Sequence, residues 1–145
     1  MKDMRVALPM LWVFMLLNYL YCDVLSLFDP TTLKDVMAGH VAGGTVEFTP
    51  EFLLASAVLM EIPMVMILLS RVLGHRPARW ANVAAAGFLA LVQIGSLAVG
   101  TPTSYYLFFS AIEVGTLAVI AVLALRWANP PQAPSQVPSL GGAAA

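Results

Sequence analysis

Four apolar stretches dominate this chain, at residues 6–28, 52–70, 80–99 and 105–127. About 20 apolar residues are enough to carry a helix across a bilayer core. In lipid every backbone N–H and C=O must find a partner, which restricts spanning structures to helices and closed barrels. Long apolar runs without strict alternation are helices. The expected fold is therefore all-α, a transmembrane four-helix bundle. Composition agrees: of 145 residues, 60% are hydrophobic and 10% charged, against about 25% charged in soluble domains. The expected organisation is a membrane domain over 1–127 and a tail over 128–145. That tail is rich in Pro, Ala, Ser and Gly, too poor in apolar surface to bury a core, and expected to be disordered. The first run exceeds the usual 7–15-residue signal core and lacks a small-x-small cleavage site after it, so it is read as a span.

Punctuation supports the division. Asp29-Pro30, Thr49-Pro50 and Thr101-Pro102 each pair an N-cap residue with proline at the first helical position. The latter two are expected to open the second and fourth spans. Asp29-Pro30 is expected to open a short interfacial helix over 30–38, ended by Gly39. Charge sets orientation. Lys2, Arg5, Arg71, Arg76, Arg79 and Arg126 fall on one side of the spans and Lys34 alone on the other. The positive-inside rule then places both termini in the cytoplasm and the 29–51 loop outside, in a multi-pass protein of the bacterial inner membrane. Trp80, Trp127, Tyr105 and Tyr106 lie at span ends, where interfacial aromatic belts form.

Three carboxylates interrupt the apolar runs: Asp23, Glu61 and Glu113. On the insertion scale an Asp at mid-helix costs about 2.5–3.5 kcal/mol, so such groups mark function more often than structure. The runs contain no Lys, and Arg126 stands only at the far end of the fourth, distant from all three acids. At 1.5 Å per residue, Glu61 and Glu113 lie about 13 and 12 Å from the outer ends of their spans. Asn18, Gln93 and Asp23 follow at about 15, 9 and 8 Å. Each span thus offers a polar side chain in the outer-to-middle zone, as one shared site would require. Asn18, Tyr19, Cys22, Asp23 and Ser26 fall on one arc of the first span. Tyr106, Ser110, Glu113 and Thr116 share a face of the fourth. Pro63 removes its own N–H and frees the carbonyl of Leu59, within a turn of Glu61. The candidate ligand- or ion-binding set is Glu61, Glu113, Asp23, Asn18, Gln93, Tyr19 and Tyr106. The competing reading makes the same groups interhelical glue, but such bonds average only about 0.6 kcal/mol in membranes.

Other chemistries find little support. Cys22 is the single cysteine, which excludes an intrachain disulfide. Met60, Met64 and Met66 around Glu61 would suit Cu(I) with Cys22, yet methionine is also ordinary flexible packing. His40 and His75 lie in loops on opposite sides and cannot jointly hold a haem. No Ser-His-Asp set, phosphate loop or Cys-x-x-Cys is present, no cofactor is implied, and no basic footprint for nucleic acid exists.

Leu11-Trp12, Leu17-Asn18-Tyr19, Asp23-Val24-Leu25-Ser26, Met60-Glu61-Ile62-Pro63-Met64, Leu69-Ser70-Arg71-Val72-Leu73 and Arg79-Trp80-Ala81-Asn82 resemble a family of small four-span bacterial membrane proteins of uncharacterised function. The similarity runs over about residues 6–127. It implies topology and no mechanism. A looser likeness to DoxX-type membrane proteins rests on topology and a mid-span Glu.

The function expected from these features is non-enzymatic. A site opening outward would bind or transport a proton, cation or small cationic amphiphile. One alternative is an accessory subunit of a larger membrane complex, with the small residues of the third span facing a membrane-protein partner or a second copy. Another is a quinone-linked redox protein.

Overall fold

In the computed structural model the described residues are 3–41 and 44–127. Lys2 and the 128–145 tail lie outside them. Five helices account for the architecture: α1 (Met4–Ser26), α2 (Pro30–Met37), α3 (Pro50–Val72), α4 (His75–Ser96) and α5 (Ser104–Arg126). The four long helices pack as neighbours, α1 against α3 and α5, and α4 against α3 and α5. Three of them, α1, α3 and α5, are long and apolar enough to cross a membrane. The helix α4 is of similar length at 22 residues but more polar, because it begins at His75 and takes in Arg76 and Arg79.

The helix starts follow local chemistry. Asp29 caps α2 by accepting from the Thr31 amide. Thr49 caps α3 through the Phe52 amide, with Pro50 in the first turn. The expected start at Thr101-Pro102 is not used. Thr103, with extended backbone, is the N-cap of α5 and makes no side-chain cap bond; residues 101–103 lie outside the helix. Gly39 ends the short α2 segment with φ +83°, a conformation that suits glycine. The segment between α2 and α3 also holds a two-residue antiparallel pairing not expected from sequence, β1 (His40–Val41) with β2 (Val46–Glu47).

The core is built from Leu8, Trp12, Met15, Met66, Ala86, Leu89, Leu117 and Ile120. A polar knot lies inside it. Trp12 Nε1 donates to Asn82 Oδ1 at 2.7 Å. Asn82 Nδ2 donates to Ser70 Oγ at 2.9 Å and to the Ala78 carbonyl at 2.8 Å. This ties α1, α3 and α4 with buried donors and acceptors all satisfied. Ala78, Asn82, Ala86 and Gln93 of α4 are buried within the chain, so this face of the helix packs internally.

The two ends of the molecule differ. At one end Arg5 Nη1 donates to the Arg71 carbonyl at 3.1 Å, and His75 Nε2 lies 3.0 Å from the Trp127 carbonyl oxygen. The start of α1 therefore meets the end of α3, and the start of α4 meets the end of α5. Arg76, Arg79 and Arg126 share these helix ends. The opposite end carries α2, the hairpin and Asp29, Lys34, Asp35, Glu47 and Glu51.

At the start of α2 the Thr31 hydroxyl, with the Thr32 hydroxyl and the Thr31 amide, holds the Asp29 carboxyl below its usual range. A lowered folded-state value means the cap contributes above the unfolded value, near 3.9, and is lost as pH falls through the folded one. Amide exchange at Thr31 and Leu33 is expected to accelerate below about pH 4 relative to their neighbours. The Asp29→Ala variant should show that acceleration at every pH.

Candidate functional site

A cavity of about 200 Å³ opens among the four long helices in the acid-rich half of the molecule. Its polar wall comes from Tyr19, Cys22 and Asp23 of α1, Ser56 of α3, Gln93 of α4, and Tyr106 and Glu113 of α5. Leu59, Met60, Leu89 and Val92 supply the apolar wall. The helices reach this geometry by register. Ser110, Glu113, Leu117, Ile120 and Ala124 form the buried stripe of α5 at spacings of three and four. Glu113 is thereby turned inward and is only 2% exposed.

Its hydrogen-bonding partner is a neutral amide, and a second acid, Asp23, lines the same cavity. Asn18 Nδ2 donates to Glu113 Oε1 at 3.2 Å and lies 3.4 Å from the Phe109 carbonyl oxygen. Gln93 Nε2 donates to Ser110 Oγ at 2.8 Å, one turn from Glu113. Ser96 and Tyr106 hydroxyls pair at 2.7 Å, which fixes the tyrosine at the cavity wall. Tyr106 and Thr116 share the Glu113 face of α5 but bond elsewhere. Tyr106 is held by Ser96, and Thr116 donates instead to its own helix at the Ile112 carbonyl, 2.8 Å away.

Of the seven residues proposed from sequence, Tyr19, Asp23, Gln93, Tyr106 and Glu113 line the cavity, and Asn18 stands behind it on Glu113. Glu61 is not brought to it. It lies on the exposed face of α3, about 140° around the helix from buried Met66 and about 160° from buried Pro63. The pairing of Glu61 with Glu113 is thus replaced by a single buried carboxyl with Asp23 at the rim. The cavity also uses Ser56, Leu59, Met60, Leu89 and Val92, which the search for polar positions in the spans passed over. Cys22 and Met60 both line the cavity. Among the described residues no three of His, Cys, Asp and Glu come together as a metal-holding group.

The fold and the cavity define a class: an all-helical protein whose helices are suited to a membrane, built around an internal polar pocket. More particularly, the chain belongs to a family of unknown function, DUF6326, whose sequence model matches residues 2–133. No curated protein and no solved structure matches the chain.

Proposed function

We propose that this protein is a four-helix transmembrane bundle with both termini cytoplasmic, and that its cavity binds a small cation or protonated amine on Glu113. The clustering of Arg5, Arg71, Arg76, Arg79 and Arg126 at one end supports the orientation. The cavity then opens toward the outer face, with Asp23 as the outer relay and Tyr19, Gln93 and Tyr106 as polar lining. The observation that carries the reading is Glu113 itself. It is a buried acid beside a cavity, bonded by a neutral amide, and among the described residues no Lys or Arg lines that cavity to serve as counter-ion. A buried carboxylate is tolerated when paired, and a cationic ligand is the partner the chain does not supply. The volume suits it: about 200 Å³ lies below the roughly 300–1,000 Å³ of drug-sized sites.

Thermal unfolding of the purified protein against metal cations, primary and quaternary amines, and quinones tests this. A ligand that binds only the folded state should stabilise it by about 2.7 kcal/mol at one hundred times its dissociation constant. Stabilisation by amines or cations is expected. Stabilisation by quinones alone would move the protein to the redox class, and no response from any of them would count against a small-molecule site.

A further inference from the structure

The cavity leaves one intramembrane acid unexplained. Glu61 is the middle residue of the 23-residue α3, about 16 Å from either end, and it faces outward from the chain. If α3 crosses the bilayer, this places a carboxyl on the lipid face at the midplane, where burial in hydrocarbon is most expensive. The helix α3 is also the least covered of the three apolar helices. Only 11% of its span window is buried, against 33% for α1 and α5.

The residues on the Glu61 face have an order that lipid contact does not require. Leu54, Val58, Glu61, Val65, Leu68 and Val72 follow one another at spacings of 4, 3, 4, 3 and 4. The five apolar members are 39–79% exposed. This is a heptad seam three turns of repeat long, with valine at each a position and leucine, Glu61 and leucine at the d positions. β-Branched residues at a with leucine at d favour parallel two-stranded pairing, and one polar residue in the seam fixes register. Membrane helices pair with the same left-handed geometry. Beside the seam an apolar groove of about 570 Å³ runs between α3 and α4, lined by Ala55, Ile62, Phe88 and Val92 among others.

We infer that α3 pairs with α3 of a second copy of this chain, the two Glu61 carboxyls meeting across the twofold axis. Complementarity selects this occupant. A carboxylic acid is donor and acceptor at once, so two of them, sharing protons, satisfy each other without a cation. A twofold axis brings a central residue onto its own copy. With the axis along the membrane normal both copies keep one orientation, and the two α3 helices run parallel as the heptad pattern demands. The inference rests on α3 spanning the membrane and is independent of the ligand cavity, so it stands or falls without the binding measurements.

Oxidative cross-linking in native membranes tests it. In a Cys22→Ala background, single cysteines replace Val58, Val65 or Leu68 in the seam, and Phe108 or Val119 on the exposed face of α5 serve as controls. Covalent dimers at the seam positions and none at the controls are expected. No dimer at the seam, equal dimer everywhere, or adducts to a protein of another mass would overturn the inference. Dimer dissociation in proteoliposomes, read by fluorescence energy transfer, then isolates Glu61. Glu61→Ala should weaken pairing about five- to thirtyfold, while Glu61→Gln, whose amide is also donor and acceptor, should retain most of it. Unchanged pairing in Glu61→Ala would remove the carboxyl pair from the interface.

Discussion

Trp12→Ala should destabilise the protein by about 3–5 kcal/mol, the usual cost of deleting a large aromatic from a packed core. Total stabilities are typically about 5–15 kcal/mol, so this variant should be recovered poorly or unfolded. Trp12 has no exposed surface and sits in the central cluster with Leu8, Met15 and Met66. Its indole N–H is the donor that joins α1 to Asn82 of α4. Trp12→Phe separates packing from hydrogen bonding. Loss of a buried hydrogen bond costs about 1–3 kcal/mol when a partner is left bare. Here Ser70 Oγ lies 3.1 Å from the same Asn82 oxygen and can turn its hydroxyl toward it, so the loss should fall at the low end. Equilibrium unfolding in mixed micelles gives both values.

Glu113→Gln should do the reverse. Glutamine has nearly the same shape and keeps an acceptor for Asn18 Nδ2, while removing the cost of burying an ionisable acid. Without ligand the variant should be more stable than wild type, by roughly 1–3 kcal/mol. It should also lose much of the stabilisation by amines or cations. Gains of this kind mark sites where function is held against stability. A structural acid would behave differently: Glu113→Gln would then destabilise, and ligand response would be absent from both proteins. The same unfolding titrations distinguish the two.

Much of this was legible in the residues. Apolar run length located the long helices to within about five positions, and Asp29 and Thr49 marked the starts of α2 and α3 because their side chains do cap. Thr101-Pro102 carries the same dipeptide signal and failed: α5 starts at Ser104. Asn18, Tyr19, Asp23, Gln93, Tyr106 and Glu113 were found by polarity and depth. Depth could not separate Glu61 from Glu113. In water the apolar face of a helix is the buried one, but in lipid both faces are apolar and the pattern does not say which turns inward. The useful signal was the company each acid keeps. Glu113 shares its stripe with Ser110 and Ala124 as well as Leu117 and Ile120, whereas the other members of the Glu61 seam are all Leu and Val. Trp12 was missed as a core residue because tryptophan in a membrane chain is expected at the interface.

The central claim is that Glu113, and not Glu61, holds the ligand. The most direct test is isothermal titration of the most stabilising amine or cation into wild type, Glu113→Gln, Asp23→Asn and Glu61→Gln. The expected result is binding in wild type and Glu61→Gln with matching affinity, a modest loss in Asp23→Asn, and at least about a tenfold loss in Glu113→Gln, about 1.4 kcal/mol or more. Undiminished binding in Glu113→Gln, or loss confined to Glu61→Gln, would contradict it.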